Sequence, residues 1–414
     1  MLNKVAVFRN SDLAAPKQNL PPAGMATASE HWPFFAEDEV AKVAEVMRSG
    51  RVNYWTGGEG RAFEQEYAAA TQRRHGIAVA NGTLALELAL YAFGIGTGDD
   101  VLTPARTYIA SAGCSVLRGA RPVIADVDRD SQVVTAATLR AALTPATRAI
   151  MVVHLAGWPC PMDEIMALAQ EHGLVVIEDC AQAHGATWKG RPVGSFGHAA
   201  AFSFCQDKII TTCGEGGMLV LDDEAAWQRA WSYKDIGRSF DAVFNRQHPP
   251  GFRWLSESFG SNFRMTEMQA AVGRMQLAKL PAWSARRRYL AETLEAGLRG
   301  LPGLRVPTVA EGVGHANYRC YAFVRPECLA PGWSRDRINA EVNAAGVTCS
   351  VGSCSEIYLE KAFVDRGWGP SARLPVAREL GETSLAFLVH PSLSDQSIQR
   401  AIDVVRTVIF NASH

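Results

Sequence analysis

The chain has 414 residues, 48% hydrophobic and 20% charged, which is enough apolar material for a large core and a length for two domains or three. Its 41 Lys and Arg stand against 42 Asp and Glu. That balance argues against a nucleic-acid surface, and no like-charged block marks a tail or a membrane-facing segment. Nine cysteines without a CxxC pair read as reduced thiols rather than a disulfide framework. The amino terminus is too polar and Pro-rich for a signal peptide, and no run approaches the roughly 18 apolar residues of a membrane span. The expected compartment is the cytoplasm, with no membrane or nucleic-acid partner.

Residues 1–30 contain three prolines and little periodicity, and read as an extended arm. A helix is expected over Glu37–Arg48, opened by an acidic first turn. A Gly-rich turn at Gly57, Gly58 and Gly60 follows, then a helix over Phe63–Ala70. Strand and helix then alternate. Strands are expected at Ile77–Ala80, Val101–Pro104, Pro122–Val127, Ala149–His154, Leu174–Asp179, Ala199–Phe204 and Met218–Leu221. Helices fall between them at Leu84–Phe93, Ile109–Leu117 and Met162–His172. Continuous apolar strands separated by helices describe a mostly parallel sheet covered on both faces. Residues 31–270 therefore read as one large α/β domain. A helical stretch, Met265–Leu298, leads into residues 271–414, a smaller α+β domain with strands at Tyr318–Val324 and Val347–Val351 and helices at Arg335–Ala345 and Gln396–Phe410.

Four short segments carry chemistry. Asn81-Gly82-Thr83 lies between a strand and a helix, where free amides, the helix dipole and a hydroxyl can cradle a phosphate; Thr83 could equally serve only as the helix cap. Asp179 ends a buried strand, the place where α/β folds bind ligands, and a carboxylate there can hold a protonated ring nitrogen. It too could be only a cap. Lys208 follows Phe202-Ser-Phe-Cys-Gln-Asp and precedes the glycine cluster Gly214-Glu-Gly-Gly217. A lysine kept from bulk water is expected to have a lowered pKa and to act as a Schiff-base nucleophile, whereas an isolated lysine is usually a solvated one. Gly260-Ser-Asn-Phe-Arg-Met265 is a polar loop ahead of a helix.

Taken in order, these segments resemble the DegT/StrS family of sugar aminotransferases. The likeness runs from about Gly50 to the carboxyl terminus and takes in Gly98-Asp-Asp-Val-Leu-Thr-Pro104 and Leu374-Pro-Val-Ala377. The resemblance implies the fold type I of pyridoxal 5'-phosphate enzymes and a homodimer with shared active sites. It implies that Lys208 forms the Schiff base and moves a proton, and that Asp179, held ionised, pairs with the pyridine nitrogen. Gln182 would approach the ring hydroxyl and Tyr108 would stack on the ring. Ser203 and the amides at Thr83 and Leu84 would bind phosphate, and Asn262 would reach the neighbouring subunit's cofactor. The implied partners are an amino-acid donor, glutamate or glutamine, and a keto-sugar acceptor, nucleotide-linked or free; relatives also make aminocyclitols and aminohydroxybenzoate.

One departure bears on the acceptor. Many relatives carry a His shortly before a Tyr-Leu segment of the small domain; here the loop reads Val351-Gly-Ser-Cys-Ser-Glu-Ile-Tyr358. Ser353 and Ser355 are therefore candidate acceptor contacts, together with Arg238 in the insertion-like stretch Lys234–Leu255. Three rivals are weaker. A dehydratase of this scaffold would carry His in place of Lys208. A non-catalytic cofactor-binding sensor lacks a DNA-binding module here. A nicotinamide-dependent reductase would need a glycine fingerprint after a strand, and Gly94-Ile-Gly-Thr-Gly98 follows a helix and lacks the third position. Cys180 and His184 are close in sequence but no second pair completes a metal site.

Overall fold

The computed structural model describes residues 30–251 and 253–413, so the expected arm lies outside the described residues apart from Glu30. The large sheet has seven strands: β1 (His75–Val79), β2 (Asp100–Pro104), β3 (Arg121–Ala125), β4 (Thr147–Val153), β5 (Val175–Asp179), β6 (Ala199–Ser203) and β7 (Gly217–Leu221). Their order is β1-β7-β6-β5-β4-β2-β3. Neighbours pair in parallel except β7, which runs antiparallel to both β1 and β6. Every residue of β2, β6 and β7 is buried. The unbroken apolar runs in the sequence thus correspond to strands covered on both faces.

Helix boundaries follow their caps. The helix Glu37–Ser49 has three acids in its first turn and ends at Gly50, whose φ of 66° suits a residue without Cβ. The next helix, Glu59–Ala70, begins earlier than Phe63, so Gly60 belongs to a helix and not to the expected turn. Its cap comes from far along the chain: Glu267 accepts the Glu59 and Gly60 amides at 2.6 and 3.1 Å. A cap supplied by a residue about two hundred positions away leaves no local signal.

A helix of 32 residues, Glu267–Leu298, joins the two halves. Gly273 near its start lies so close to Phe63 that a Cβ would meet the ring at 2.5 Å. Leu290, Leu294 and Leu298 near its end belong to the second core. That core sits under a four-stranded antiparallel sheet of β8 (Leu304–Arg305), β9 (Cys320–Val324), β10 (Cys349–Ser350) and β11 (Ser384–Phe387), ordered β8-β9-β11-β10. Strand alternation divides β9 between two cores. Cys320, Ala322 and Val324 face the helices Arg335–Ala344 and Asp395–Ala412, while Tyr321 and Phe323 pack into the core of the large sheet. The small sheet is thereby seated on the large one, and the loop after β10 reaches the large sheet's carboxyl edge. Helices at Glu224–Lys234 and Pro375–Thr383 add to the expected set.

Candidate active site

The carboxyl ends of β1, β5 and β6 open into one pocket of about 760 Å³. It is lined by Thr83, Leu84, Tyr108, Asp179, Gln182, Ser203 and Lys208 from the large domain, with Tyr318, Ser353 and Cys354 from the small one. Eight of the candidate residues singled out in the sequence, Ser353 among them, therefore meet in a single cavity.

The anion cradle is the start of the helix Gly82–Ala92. Its cap is Asn81, in extended backbone, whose side chain accepts the Leu84 amide at 3.0 Å; Thr83 is not the cap, and its hydroxyl remains on the pocket wall. Two glycines bring the cradle together. A Cβ on Gly82 would lie 2.7 Å from Cβ of Ser203, and one on Gly217 would lie 2.3 Å from the Asn81 carbonyl oxygen. Beneath it, the carbonyl of Ser203 accepts from Nε2 of His184 at 2.8 Å, and the Tyr67 hydroxyl donates to Nδ1 of the same ring at 2.6 Å. Burial pushes His184 down to about 3, so the ring is neutral and this tautomer is fixed.

Two adjacent acids at the end of β5 have opposite fates because strand side chains alternate. Glu178 accepts from His154 and from the amides of Gly194, Phe196 and Gly197. Burial alone would raise its pKa, but these donors hold it below the usual range. Glu178 is a structural anchor. Among the described residues, the Asp179 carboxylate accepts only from the Ser111 hydroxyl, at 2.7 Å, and the Ala181 amide, at 3.1 Å. Burial raises its pKa despite these bonds. The expectation that pairing holds Asp179 ionised therefore concerns the carboxylate with a cation beside it: burial alone works against the charge, and a paired cation offsets that cost.

Gln182 is oriented by the Ala156 amide, which donates to Oε1 at 2.7 Å and leaves the side-chain NH₂ for the pocket. Lys208 emerges from a turn after β6, its amide donating to the Cys205 carbonyl at 3.0 Å, while Nε1 of Trp32 donates to its carbonyl at 2.8 Å. The side chain is 15% exposed. Burial would lower its pKa, as expected from the sequence, but Tyr318 and Asp207 outweigh burial and the pKa is raised. That expectation is corrected: in the protein by itself, Lys208 is held as an ammonium.

The outer wall differs from expectation in two residues. Ser353 and Cys354 face the pocket, but Ser355 is buried and its hydroxyl donates to the Ala377 carbonyl. Arg238 does not line the pocket; its guanidinium lies 4.1 Å from the centre of the Trp55 ring. Asn262 is exposed and outside its own chain's pocket, paired through the backbone with Asp235. The loop that carries Ser353 is held by the Tyr321 hydroxyl, which accepts the Ser353 amide at 3.0 Å, and by the Thr107 amide, which donates to Cys354 at 3.1 Å. Sequence reasoning assigned no role to Ser111, Asp207 and Tyr318. Ser111 had a signal, since it lies one helical turn beyond Tyr108; Tyr318 had none.

The residues present suit a flat, phosphorylated, cationic ring with a carbonyl group: an amide cradle for the phosphate, a buried acid for the ring nitrogen, and an amine for the carbonyl. On a seven-stranded sheet of this order, that arrangement defines a fold type I transferase. Residues 33–406 match the DegT/DnrJ/EryC1/StrS aminotransferase family. The chain is 36% identical over 369 residues to the dTDP-3-amino-3,4,6-trideoxy-alpha-D-glucose transaminase of Streptomyces venezuelae, covering 88% of this chain and 90% of that protein. It is 36% identical over 353 residues to the UDP-N-acetyl-3-dehydro-alpha-D-glucosamine 3-aminotransferase of Acidithiobacillus ferrooxidans, covering 85% and 89%. The crystal structure of an aminotransferase from Psychrobacter cryohalolentis superposes with a TM-score of 0.90 at 51% identity, over 92% of this chain and 99% of that one. The chain belongs to the DegT/DnrJ/EryC1/StrS aminotransferase family, and it is an aminotransferase.

Proposed function

We propose that the protein uses pyridoxal 5'-phosphate, held on Lys208, to move an amino group from glutamate or glutamine to the ketone of a nucleotide-linked sugar. The convergence of Lys208, Asp179 and the Gly82–Leu84 cradle on one pocket is the observation that carries this reading. The acceptor class rests on the relatives, which are named for dTDP- and UDP-linked sugars. When bound, the cofactor supplies a carbonyl that holds nitrogen and a ring that accepts an electron pair.

The chain's own groups do the rest. The amides of the cradle and the Ser203 hydroxyl bind the phosphate dianion at the positive end of a helix. Asp179 pairs with the ring nitrogen and keeps it protonated. The NH₂ of Gln182 donates to the ring hydroxyl, and Tyr108, exposed at the pocket mouth, covers the ring. Nζ of Lys208 takes the proton from the donor's α-carbon and returns it to the product. The exposed position of Asn262 supports a homodimer in which this side chain serves the other subunit's phosphate. All nine cysteines are free thiols, and no helix among the described residues is long and apolar enough to cross a membrane.

The test is turnover of nucleotide-linked and free keto-sugars with glutamate as donor, followed by mass spectrometry of the aminated product. Amination of a nucleotide-linked ketone is expected. Amination of free keto-sugars or cyclitol ketones alone would overturn the acceptor class.

A further inference from the structure

Lys208 has a neighbour with no part in the scheme above. Asp207 lies on the pocket wall beside it, and Oδ1 of Asp207 is 3.4 Å from Nζ of Lys208. Its other oxygen accepts the Tyr318 hydroxyl, and Nη2 of Arg319 lies 3.6 Å from that same oxygen. Tyr318 also places its ring 5.1 Å from the ammonium. Two consecutive side chains on a turn have many rotamers in which they splay apart. Here the small domain, just ahead of β9, clamps one oxygen of Asp207 and leaves the other facing the amine.

The other titratable groups around the amine leave Asp207 as its counter-ion. Burial pushes up both the Cys205 thiol, on the same loop, and the Tyr318 phenol, which acts on the amine through its hydroxyl and ring rather than as a fixed anion. His184, beneath the loop, is neutral. Asp179 is raised by burial, and in the scheme above its charge is taken by the ring nitrogen. Although burial works against it, Asp207 is held below its usual range by Lys208, Tyr318 and Arg319. Glu215 also lines the pocket, where its carboxylate lies 3.8 Å from the Cys205 thiol, but among the described residues Asp207 is the carboxylate in ion-pair contact with Lys208.

We propose that Asp207, clamped by Tyr318 and Arg319, is a positioning residue that holds the Lys208 amine against the pocket wall as an ammonium. It thereby sets the pH at which this amine captures an aldehyde and favours the protonated form when Lys208 carries a proton to product. The proposal rests on the reading of Lys208 as the Schiff-base lysine. Capture requires the ammonium to shed one proton; the free amine then adds to the aldehyde carbon, and the aldehyde oxygen leaves as water. A fixed carboxylate beside the amine opposes the first of these steps, so removing its charge lets capture proceed at lower pH.

The experiment uses the full-length protein freed of cofactor. Pyridoxal phosphate is added across a pH series, trapped by borohydride, and the adduct on the Lys208 peptide is measured against time by mass spectrometry. Asp207→Asn is expected to lower the midpoint of the capture rate by about one pH unit, which is about tenfold faster capture on the rising limb. Asp207→Glu, which keeps the charge, is expected to stay close to the wild type. An Asn variant with the wild-type midpoint would overturn the proposal. So would a Glu variant displaced as far as the Asn variant, since that is the behaviour of a residue needed only for structure. If the wild type forms an adduct elsewhere and none on Lys208, the lysine assignment fails, and the proposal with it.

Discussion

The inner side of the pocket is made by strand ends of a single buried sheet, whereas its outer side is a loop of the small domain attached at a few hydrogen bonds. The cradle, Asp179 and Ser203 are fixed by contacts with little room to move: glycines at 82 and 217 in backbone contact, and a neutral His184 locked between Tyr67 and the Ser203 carbonyl. Gly352–Cys354 is anchored instead through the Tyr321 hydroxyl and the Thr107 amide, with Ser353 and Cys354 free to present different side chains. A rigid inner side suits a cofactor that stays. An adjustable outer side suits an acceptor that differs between relatives.

Substitutions on the two sides should separate these roles. Asp179→Asn removes the charge that keeps the ring nitrogen protonated, and transamination is expected to fall by roughly 10³-fold with every acceptor, read as kcat of the donor half-reaction. A loss confined to one acceptor would break the distinction. Ser353→Leu should leave the donor half-reaction unchanged and raise the acceptor KM by about tenfold, through lost hydrogen bonding and added bulk. If it slowed the donor half-reaction equally, the outer loop would belong to the cofactor site.

Acid tests the inner side against the seam in a different way. His184 under the cradle and His315 against Trp158 are depressed to about 3, and His390, near Arg287 and Arg319, to about 4, all chiefly by burial. A histidine whose folded pKa lies below its unfolded one binds more protons when unfolded, so stability falls as pH drops below about 6.5. With the three rings counted, the slope should be up to about 4 kcal/mol per pH unit between roughly pH 6 and 4. Urea midpoints measured through that range check it. Replacing His184 by Gln should flatten the slope by about a third; an unchanged slope would place the titrating groups elsewhere.

The same division governs what the sequence revealed. The cradle, Asp179 and Lys208 were legible because each is a local feature at the end of an apolar strand, where a parallel sheet brings distant segments to one edge. The alternative of Thr83 as the helix cap gives way to Asn81, a residue type favoured at caps, and Thr83 is left on the pocket wall. Ser355 was assigned inward because a loop has no fixed alternation to say which of three small side chains turns to the core. The raised pKa of Lys208 was hidden for another reason. Burial was readable, but the opposing Tyr318 lies 110 residues further on, in the other domain. Glu267 capping the helix at Glu59 is a parallel case.

The central claim is that Lys208 carries the cofactor and the proton in an amino transfer. Its most direct test is the visible absorbance of the protein loaded with pyridoxal phosphate, recorded before and after glutamate, for the wild type and Lys208→Ala. The account predicts a band in the wild type that glutamate moves to shorter wavelength, with 2-oxoglutarate formed in step, and neither the band nor the product in the variant. A variant that keeps the band and forms product at the wild-type rate would contradict it.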